Sequence, residues 1–527
     1  MVKSPATKED FVKQFLAVFQ GLLYMLLSVM GKCTLKPQLA GALVAVIGCT
    51  SLIALILMLV QNDSAEMPPR FQYGIVFDAG STHTALFLYK WPGAKENNTG
   101  VVSQVLVCDV EGPGISSYAN DPPAAGQSLT VCLDDAKKAI PIGQERNTPV
   151  YLGATAGMRL LRLQNATKAD QVMEEVAKTI KEYPFDFQGA RILLGTEEGA
   201  FGWITINYIL EGFIKYSFEG KWLKPKEGEI LGALDMGGSS TQITFRPTDP
   251  IKDPTSEVQL RLYGLNYGIY THSYLCYGKD QAMRQLQIQL LKMNNMSQRV
   301  THPCYHQGYN LSLALGDLYD SPCAEKTGAF DPTDIVTFLG SSDPGQCLKL
   351  TNTIFNFSDC SFPPDCAFNG VYQPPINGNF YAFSSYYYTF DFLGLAPQAP
   401  LPLVLSTIES FCKKNWSMVK TEYPNIPEKY LQDYCASANY KMTLLQEAYK
   451  FNETTWSNIY FKKKVADTNI GWTLGYMLNQ SSLIPSEHPL LITGVNHGQW
   501  AAGIFFIVFA LFLSFVVMII LFAGNIN

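Results

Sequence analysis

The sequence predicts an α/β protein of two lobes held between two membrane-spanning helices. Strand-like and helix-like stretches alternate beyond Arg70, the pattern of an α/β sheet protein. One seven-residue frame occurs twice in the same strand context, 157 residues apart, as two related halves would have it. Two apolar runs without a single charge bracket everything else.

Composition bounds the class before any motif is read. The 527 residues exceed one ordinary domain and suit two or three. Only 16% are charged, against about 25% in a typical soluble domain. A net charge of −6, from 45 acids and 39 bases, excludes a nucleic-acid binder working through a basic face. An aromatic share of 13% excludes a disordered chain, because so much apolar surface can be buried.

The anchors come first and last. Leu39 to Val60 and Trp500 to Ala523 each exceed the roughly 20 residues that cross a bilayer. Lys3, Lys8, Lys13, Lys32 and Lys36 precede the first run against Glu9 and Asp10, and Asp63 and Glu66 follow it. Basic flanks face the cytosol. Residues 1–38 are therefore expected to be cytosolic, 39–60 and 500–523 to span the plasma membrane, and both termini to lie inside. The rival, a cleaved signal peptide, needs an apolar core of about 7–15 residues and a small-residue cleavage site, and neither fits. Phe15 to Met30 is a further apolar stretch, either an interfacial helix or an extension upstream of a shorter form starting at Met30. Gly41, Ala45 and Gly48 give the first anchor small residues through which copies of the chain can associate into a homo-oligomer.

The segment between the anchors carries nine Asn-x-Ser/Thr sequons, at Asn62, Asn97, Asn165, Asn295, Asn310, Asn356, Asn415, Asn452 and Asn479. Nine on one segment are what a secreted surface shows. Ten of the twelve cysteines lie there too, and Cys33 and Cys49 lie at or inside the first anchor. An even number without a paired C-x-x-C repeat argues for five disulfides and against zinc.

Past the linker Asn62 to Arg70, Phe71 to Phe77 and Thr84 to Lys90 read as strands around a glycine-containing turn. Val172, Val176, Ala177 and Ile180 are spaced for a helix over Lys168 to Lys181. Ile192 to Leu194 reads as a short strand, Ile204 to Leu210 as helix, and Ile230 to Met236 as another strand. From Pro250 to Tyr460 the text is rich in Cys, Pro, Asn and Tyr with few periodic runs, which predicts a loop-rich lobe.

The duplicated frame is D-x-G-x-[ST]-x-T, read as Asp78-Ala-Gly80-Ser81-Thr82-His83-Thr84 and as Asp235-Met-Gly237-Gly238-Ser239-Ser240-Thr241. Glycine and serine in a tight turn leave successive backbone N–H groups facing a concavity that suits phosphate. The Asp ending each preceding strand can hold a divalent cation, directly or through water. No G-x-x-x-x-G-K-[ST] occurs, so this is not a P-loop. Between the turns, Gly153-Ala-Thr155-Ala-Gly157-Met-Arg159 suits a strand-to-helix turn near the same anion. Gly195-Thr-Glu197-Glu198-Gly199 offers an acid that could polarise a water as general base.

Together these blocks resemble the ectonucleoside triphosphate diphosphohydrolases, the apyrase family, and within it the cell-surface subgroup, type 8 members first and type 3 next. The five apyrase regions correspond to Asp78–Thr84, Gly153–Leu161, Gly195–Tyr208, Asp235–Phe245 and Gly471–Asn479. Two small departures occur, Asp-Met-Gly-Gly-Ser replacing the usual Asp-Leu-Gly-Gly-Ala.

The resemblance implies two RNase H-like lobes of the actin-like ATPase and sugar-kinase superfamily: residues 71–194 with 466–498 as lobe I and 195–465 as lobe II. It implies hydrolysis of extracellular nucleoside tri- and diphosphates, such as ATP, ADP, UTP and UDP, with Ca²⁺ or Mg²⁺. By position, Asp78 and Asp235 hold waters around the metal; Ser81, Thr82, His83, Thr155, Gly237, Gly238 and Ser239 bind phosphate. Glu198 is the base, with Ser240 and Gln242 holding the attacking water. Tyr434 and one of Tyr386, Tyr387 and Tyr388, taken as Tyr388, stack on the nucleobase. The implied disulfides are Cys108–Cys132, Cys276–Cys323, Cys304–Cys347, Cys360–Cys366 and Cys412–Cys435. The competing readings are a non-catalytic nucleotide receptor of the same fold and a sugar-kinase-like transferase; no nucleic-acid partner is expected.

Overall fold

The computed structural model describes residues 37–59, 63–66, 69–93, 100–213, 215–216, 222–223, 230–325, 330–465, 467–483, 490–493 and 497–524. They fall into two compact units, Pro69–Ser486 and a second made of Met1–Pro68 with Glu487–Asn527. Phe15 to Met30, Cys33 and the sequons at Asn62 and Asn97 lie outside the described residues.

The larger unit opens with a five-stranded sheet. Strand β1 (Phe71–Ala79) pairs antiparallel with β2 (Thr84–Pro92), and β2 with β3 (Ser103–Val110). On its other side β1 runs parallel to β4 (Pro149–Ala154), and β4 to β5 (Asp186–Ile192). Ile75, Val76 and Phe77 are all fully buried, so β1 reads as an unbroken apolar run because both faces are covered. Ile75 and Phe77 face the core under helices α1 (Ala156–Gln164) and α2 (Ala166–Lys181), and Val76 faces a second core. Val172, Val176 and Ile180 of α2 lie in the first of these, as their spacing predicts. Helix α2 starts where the Asn165 side chain accepts from the Lys168 N–H at 3.0 Å. The strand expected at Ile192 to Leu194 is the tail of β5, which ends at Ile192 before the chain turns into helix α3 (Gly195–Ile209).

A second sheet repeats this ladder. Its strands are β6 (Gly232–Met236), β7 (Ser240–Phe245), β8 (Glu257–Leu262), β9 (Leu265–Leu275), β10 (Phe380–Ala382) and β11 (Ile459–Phe461), in the order β8-β9-β7-β6-β10-β11. As β1 does, β6 turns back into an antiparallel neighbour and takes parallel strands on its other side. Helix α4 (Lys279–Met293) follows β9, and α5 (Ser385–Phe392) follows β10. Helix α6 (Tyr434–Thr443) is buried at every residue from Cys435 to Thr443. This corrects the expectation of a loop-rich lobe: a helix buried all round carries no apolar period to read.

The second core joins the two sheets. Helix α3 and α7 (Trp472–Leu483) contribute Trp203, Ile204, Trp472 and Met477, against Val76 of the first sheet and Ile269 of the second. The Thr205 hydroxyl donates to Gly471 O at 2.6 Å and accepts from the Gly475 N–H at 2.8 Å. A Cβ on Gly475 would strike the carbonyl oxygen of Phe201. The ten cysteines pair as Cys108–Cys132, Cys276–Cys323, Cys304–Cys347, Cys360–Cys366 and Cys412–Cys435, so four of the five staple the second sheet's surroundings. Of the described sequons, Asn165, Asn295, Asn310, Asn356, Asn415 and Asn452 are exposed and Asn479, within α7, is half-buried. Asn415 caps the helix Trp416–Glu422, accepting from the Met418 N–H at 2.9 Å.

In the smaller unit, one helix runs from Pro37 to Leu59 and another from His497 to Gly524. Among the described residues, Trp500–Ile519 is the one stretch long and apolar enough to cross a membrane; in the first helix Val44–Ile56 is a shorter apolar segment. The two helices touch, a Cβ on Gly48 lying 3.8 Å from Ser514 Cβ, so Gly48 serves a contact within the chain. The expected linker contains a strand, Asp63–Glu66, paired antiparallel with Leu490–Thr493.

The crossing of α3 and α7 should be intolerant of one methyl group. Gly475→Ala is expected to cost about 1–3 kcal/mol, read as a lower midpoint of heat unfolding. Gly471→Ala, whose Cβ meets nothing within 4 Å, should leave the midpoint within about a degree of wild type on that scale.

Candidate active site

The two copies of the frame form the hairpin tips of β1–β2 and β6–β7. Gly80 to His83 join the first pair and Gly237 to Ser239 the second. The Gly237 N–H closes its own turn on Ser240 O at 2.9 Å. Among the described residues, the backbone N–H groups of Gly80, Ser81, Thr82, Gly238 and Ser239 donate to no protein acceptor. The tips face each other, since a Cβ on Gly238 would lie 2.7 Å from both Ser81 Oγ and Thr82 Cγ2. Behind the second turn, a Cβ at Gly278 would strike the amide nitrogens of Ser239 and Ser240, so only glycine fits there. Thr155 sits at the root of the first turn, its N–H donating to Ala79 O at 3.0 Å, and His83 Nδ1 lies 3.2 Å from Thr82 Oγ1. Unused amides in two facing turns make a cradle for an anion. Ser239 is itself buried.

Three carboxyl groups lie beside it, Asp235 and Glu198 buried and Asp78 half-buried. Burial pushes Asp235 up to about 7, the Ser384 hydroxyl opposing and the Asp78 charge adding to the rise. Burial also raises Asp78, with His83 opposing, and its Oδ1 has no hydrogen-bond partner. Glu198, in the first turn of α3, is pushed up to about 8 by burial, against Arg159, with Asp235 and Asp78 contributing to the rise.

The adjacent acids part company at once. Glu197 turns outward to Arg191 Nη1 at 2.7 Å and accepts from the Leu194 N–H. Glu198 turns inward to Arg159 Nη2 at 2.5 Å. Gln242 Nε2 lies within hydrogen-bond reach of Glu198 Oε2 at 3.1 Å, Ser240 Oγ at 2.7 Å and Ser273 Oγ at 2.9 Å. Arg159 also donates to Ser240 Oγ at 3.1 Å. The structure thus brings Glu198, Ser240 and Gln242 into one network. Among the described residues, no three His, Cys, Asp or Glu side chains are grouped to ligate a metal directly.

Three residues of this site escape the sequence reading. Arg159 is visible only as a basic residue after a turn. Ser273 faces Gln242 across the β7–β9 ladder, a register no local motif reports. Ser384, beside Asp235, holds the left-handed φ of 54°, a strain that collects at functional positions.

The tyrosine triplet splits. Tyr386 is buried with its hydroxyl 3.1 Å from Thr241 Oγ1, whereas Tyr388 is 50% exposed under the Lys463 ammonium, 5.1 Å from its ring centroid. Tyr434 opens α6 with one face stacked on Phe392, centroids 3.7 Å apart. Burial, chiefly, raises its phenol, and Tyr388 is near enough to add to the shift.

A model of the GDA1/CD39 (nucleoside phosphatase) family matches residues 65–493. Ectonucleoside triphosphate diphosphohydrolase 8 of Mus musculus is 50% identical over 478 residues, 90% of this chain and 96% of that protein. The protein of the same name from Gallus gallus is 50% identical over 485 residues, 92% and 98% of the two chains. Ectonucleoside triphosphate diphosphohydrolase 2 of Mus musculus follows at 46% over 475 residues, 88% and 94%, where the sequence alone places type 3. Nucleoside triphosphate hydrolases from Neospora caninum share the fold, with a TM-score of 0.58 at 14% identity over 82% of this chain and 95% of theirs.

The raised carboxyl of Glu198 has a thermodynamic consequence. It holds its proton to about pH 8 in the fold, and to its ordinary value of 4.5 in the unfolded chain. Its stabilising protonation is complete below 4.5 and is lost as pH rises to 8. Thermal midpoints in chelator should therefore fall between pH 5 and 8, and fall less steeply in Glu198→Gln. Equal slopes in the two proteins would show that Glu198 does not carry the raised value.

Proposed function

The chain belongs to the GDA1/CD39 (nucleoside phosphatase) family, and from that premise we propose that it hydrolyses nucleoside tri- and diphosphates to the monophosphate by direct attack of water. The observation that carries this reading is the pair of facing turns with five unused amides, next to a buried Glu198 already bonded to Ser240 through shared partners. The terminal phosphates rest in the cradle between Ser81, Thr82, His83 and Thr155 on one side and Gly237, Gly238 and Ser239 on the other. Glu198 in its ionised form takes the proton from a water that Ser240 and Gln242 orient, and the Arg159 guanidinium opposes the upward pull of burial on its pKa. Catalysis then rests on positioning and on donors aimed at the developing charge. No residue of the chain needs to be phosphorylated on the way.

The donor set fits a divalent cation, Ca²⁺ or Mg²⁺. The Asp78 charge raises the proton affinity of Asp235, and Asp78 Oδ1 lacks a partner. With no third ligand grouped beside them among the described residues, they would hold the ion through its waters. Such an ion supplies charge compensation for the phosphate oxygens. Tyr388 and Tyr434 each have one face covered in the structure, by Lys463 and by Phe392, and offer the other to a nucleobase.

The site reading extends to the rest of the molecule. The sheets centred on β1 and β6 are two RNase H-like lobes of the actin-like superfamily, residues 71–194 with 466–498 and residues 195–465. The helices Pro37–Leu59 and His497–Gly524 anchor the chain twice in the plasma membrane with both termini cytosolic. The exposed sequons carry glycans, and the site faces outward to extracellular nucleotides.

Phosphate release from ATP and ADP should fall about 100-fold or more in Glu198→Ala; full activity would remove it as the base, and nucleotide binding without turnover in wild type would favour the receptor reading. Asp78→Asn should raise the divalent-cation concentration needed for half-maximal rate. The base acts ionised, so kcat/KM should rise with pH on a limb set by Glu198. Removing the opposing charge in Arg159→Met should move that limb to higher pH, and a limb that stays in place would dissociate Arg159 from the base.

A further inference from the structure

Lys441 is the one lysine whose side chain disappears completely into the described protein, at 0% exposed. It lies on α6, two turns after Tyr434. No acid pairs with it; instead its Nζ meets Ser385 Oγ at 3.0 Å, Ser437 Oγ at 2.8 Å and, at close range, Thr389 Oγ1. Ser385 and Thr389 belong to α5, the helix of Tyr388, and Ser437 to α6, the helix of Tyr434. Three hydroxyls complete the hydrogen bonding of an amine, with or without its third proton. Burial, aided by the Lys279 charge, holds this amine well below the usual lysine range, so the contact needs no counter-ion.

We propose that Lys441 is a positioning residue for the nucleobase, its buried amine tying α5 to α6 and so fixing the gap between Tyr388 and Tyr434. The inference rests on the reading of those two tyrosines as the base-stacking pair. Between the helices there is otherwise one side-chain hydrogen bond at this level, Thr389 Oγ1 to Ser437 Oγ at 3.3 Å. Losing the amine would leave the fold's apolar contacts in place and loosen the pair of helices that carry the rings. The phosphate cradle, built from β1–β2 and β6–β7, would not feel the change.

The test compares wild type, Lys441→Met, Tyr388→Ala and Tyr434→Ala as full-length protein in membranes. ATP hydrolysis gives kcat and KM, and inorganic tripolyphosphate, which has no base, is measured as a competitor. Lys441→Met should raise the KM for ATP about two- to tenfold, with kcat within about twofold and the tripolyphosphate inhibition constant unchanged. An unchanged KM for ATP, or a parallel loss for tripolyphosphate, would overturn the proposal. Should Lys441→Met not reach the membrane, Thr389→Val removes one of the three partners and must show the same split between ATP and tripolyphosphate. If Tyr388→Ala and Tyr434→Ala themselves leave the KM for ATP unchanged, the stacking reading fails; if only Lys441→Met does so, the positioning role alone fails.

Discussion

One guanidinium among three carboxyls withdrawn from solvent to different degrees is the constraint on which the site depends. Arg159 reaches Glu198 from α1 on the first sheet, while α3, which carries Glu198, packs between the sheets. Two charges withdrawn from water are costly, and their attraction offsets that cost only when the remaining polar atoms are also engaged. Here Arg159 and Gln242 share Ser240 and Ser273, so the pair is embedded in a network that fixes each member's direction. Among the described residues Asp78 and Asp235 form no ion pair, and His83 alone opposes the rise of Asp78 by its charge. The chain's surplus of acids is mild, and at the cradle Arg159, His83 and the free amides of two turns supply a local positive field. An anionic substrate can be received there because the field is short-ranged and directed, without a basic surface.

Duplication explains why that cradle is symmetric and the chemistry is not. Both sheets set an aspartate at the same point of the same ladder, Asp78 opposite Ala85 and Asp235 opposite Gln242. The first copy has His83 and Ala85 where the second has Ser240 and Gln242. A phosphate grip needs two similar halves; a water needs one address. The Ser240–Gln242 pair therefore exists in one copy alone, and β9 supplies Ser273 to complete its network.

What could be read in the sequence follows from how local each feature is. The two turns, the strands leading into them and the α2 helix are encoded by residues within a few positions of one another. Glu198 stands next to Glu197, and only the fold separates the one facing Arg191 from the one facing Arg159. Ser273 needed the register of β9 on β7, and Ser384 needed the placement of β10 beside β6. Helix α6 was hidden for another reason: buried on every side, it shows neither the period of an amphipathic helix nor a charged face. Lys441 lies on that same helix, and two of its three hydroxyl partners, Ser385 and Thr389, come from α5, distant in sequence.

The caps at Asn165 and Asn415 would give carbohydrate, if attached there, a fixed footing. A sugar attaches through the amide nitrogen of asparagine, and each cap uses only the amide oxygen, so attachment and capping are compatible. The first sugar would then be rooted in a side chain already fixed at the start of a helix, and the glycan would leave the surface in a set direction. Mutating either asparagine would remove sugar and cap together, mixing two effects in one variant. At Asn165 the clean separation is to alter Thr167 instead, which abolishes the sequon and leaves the helix start as it is.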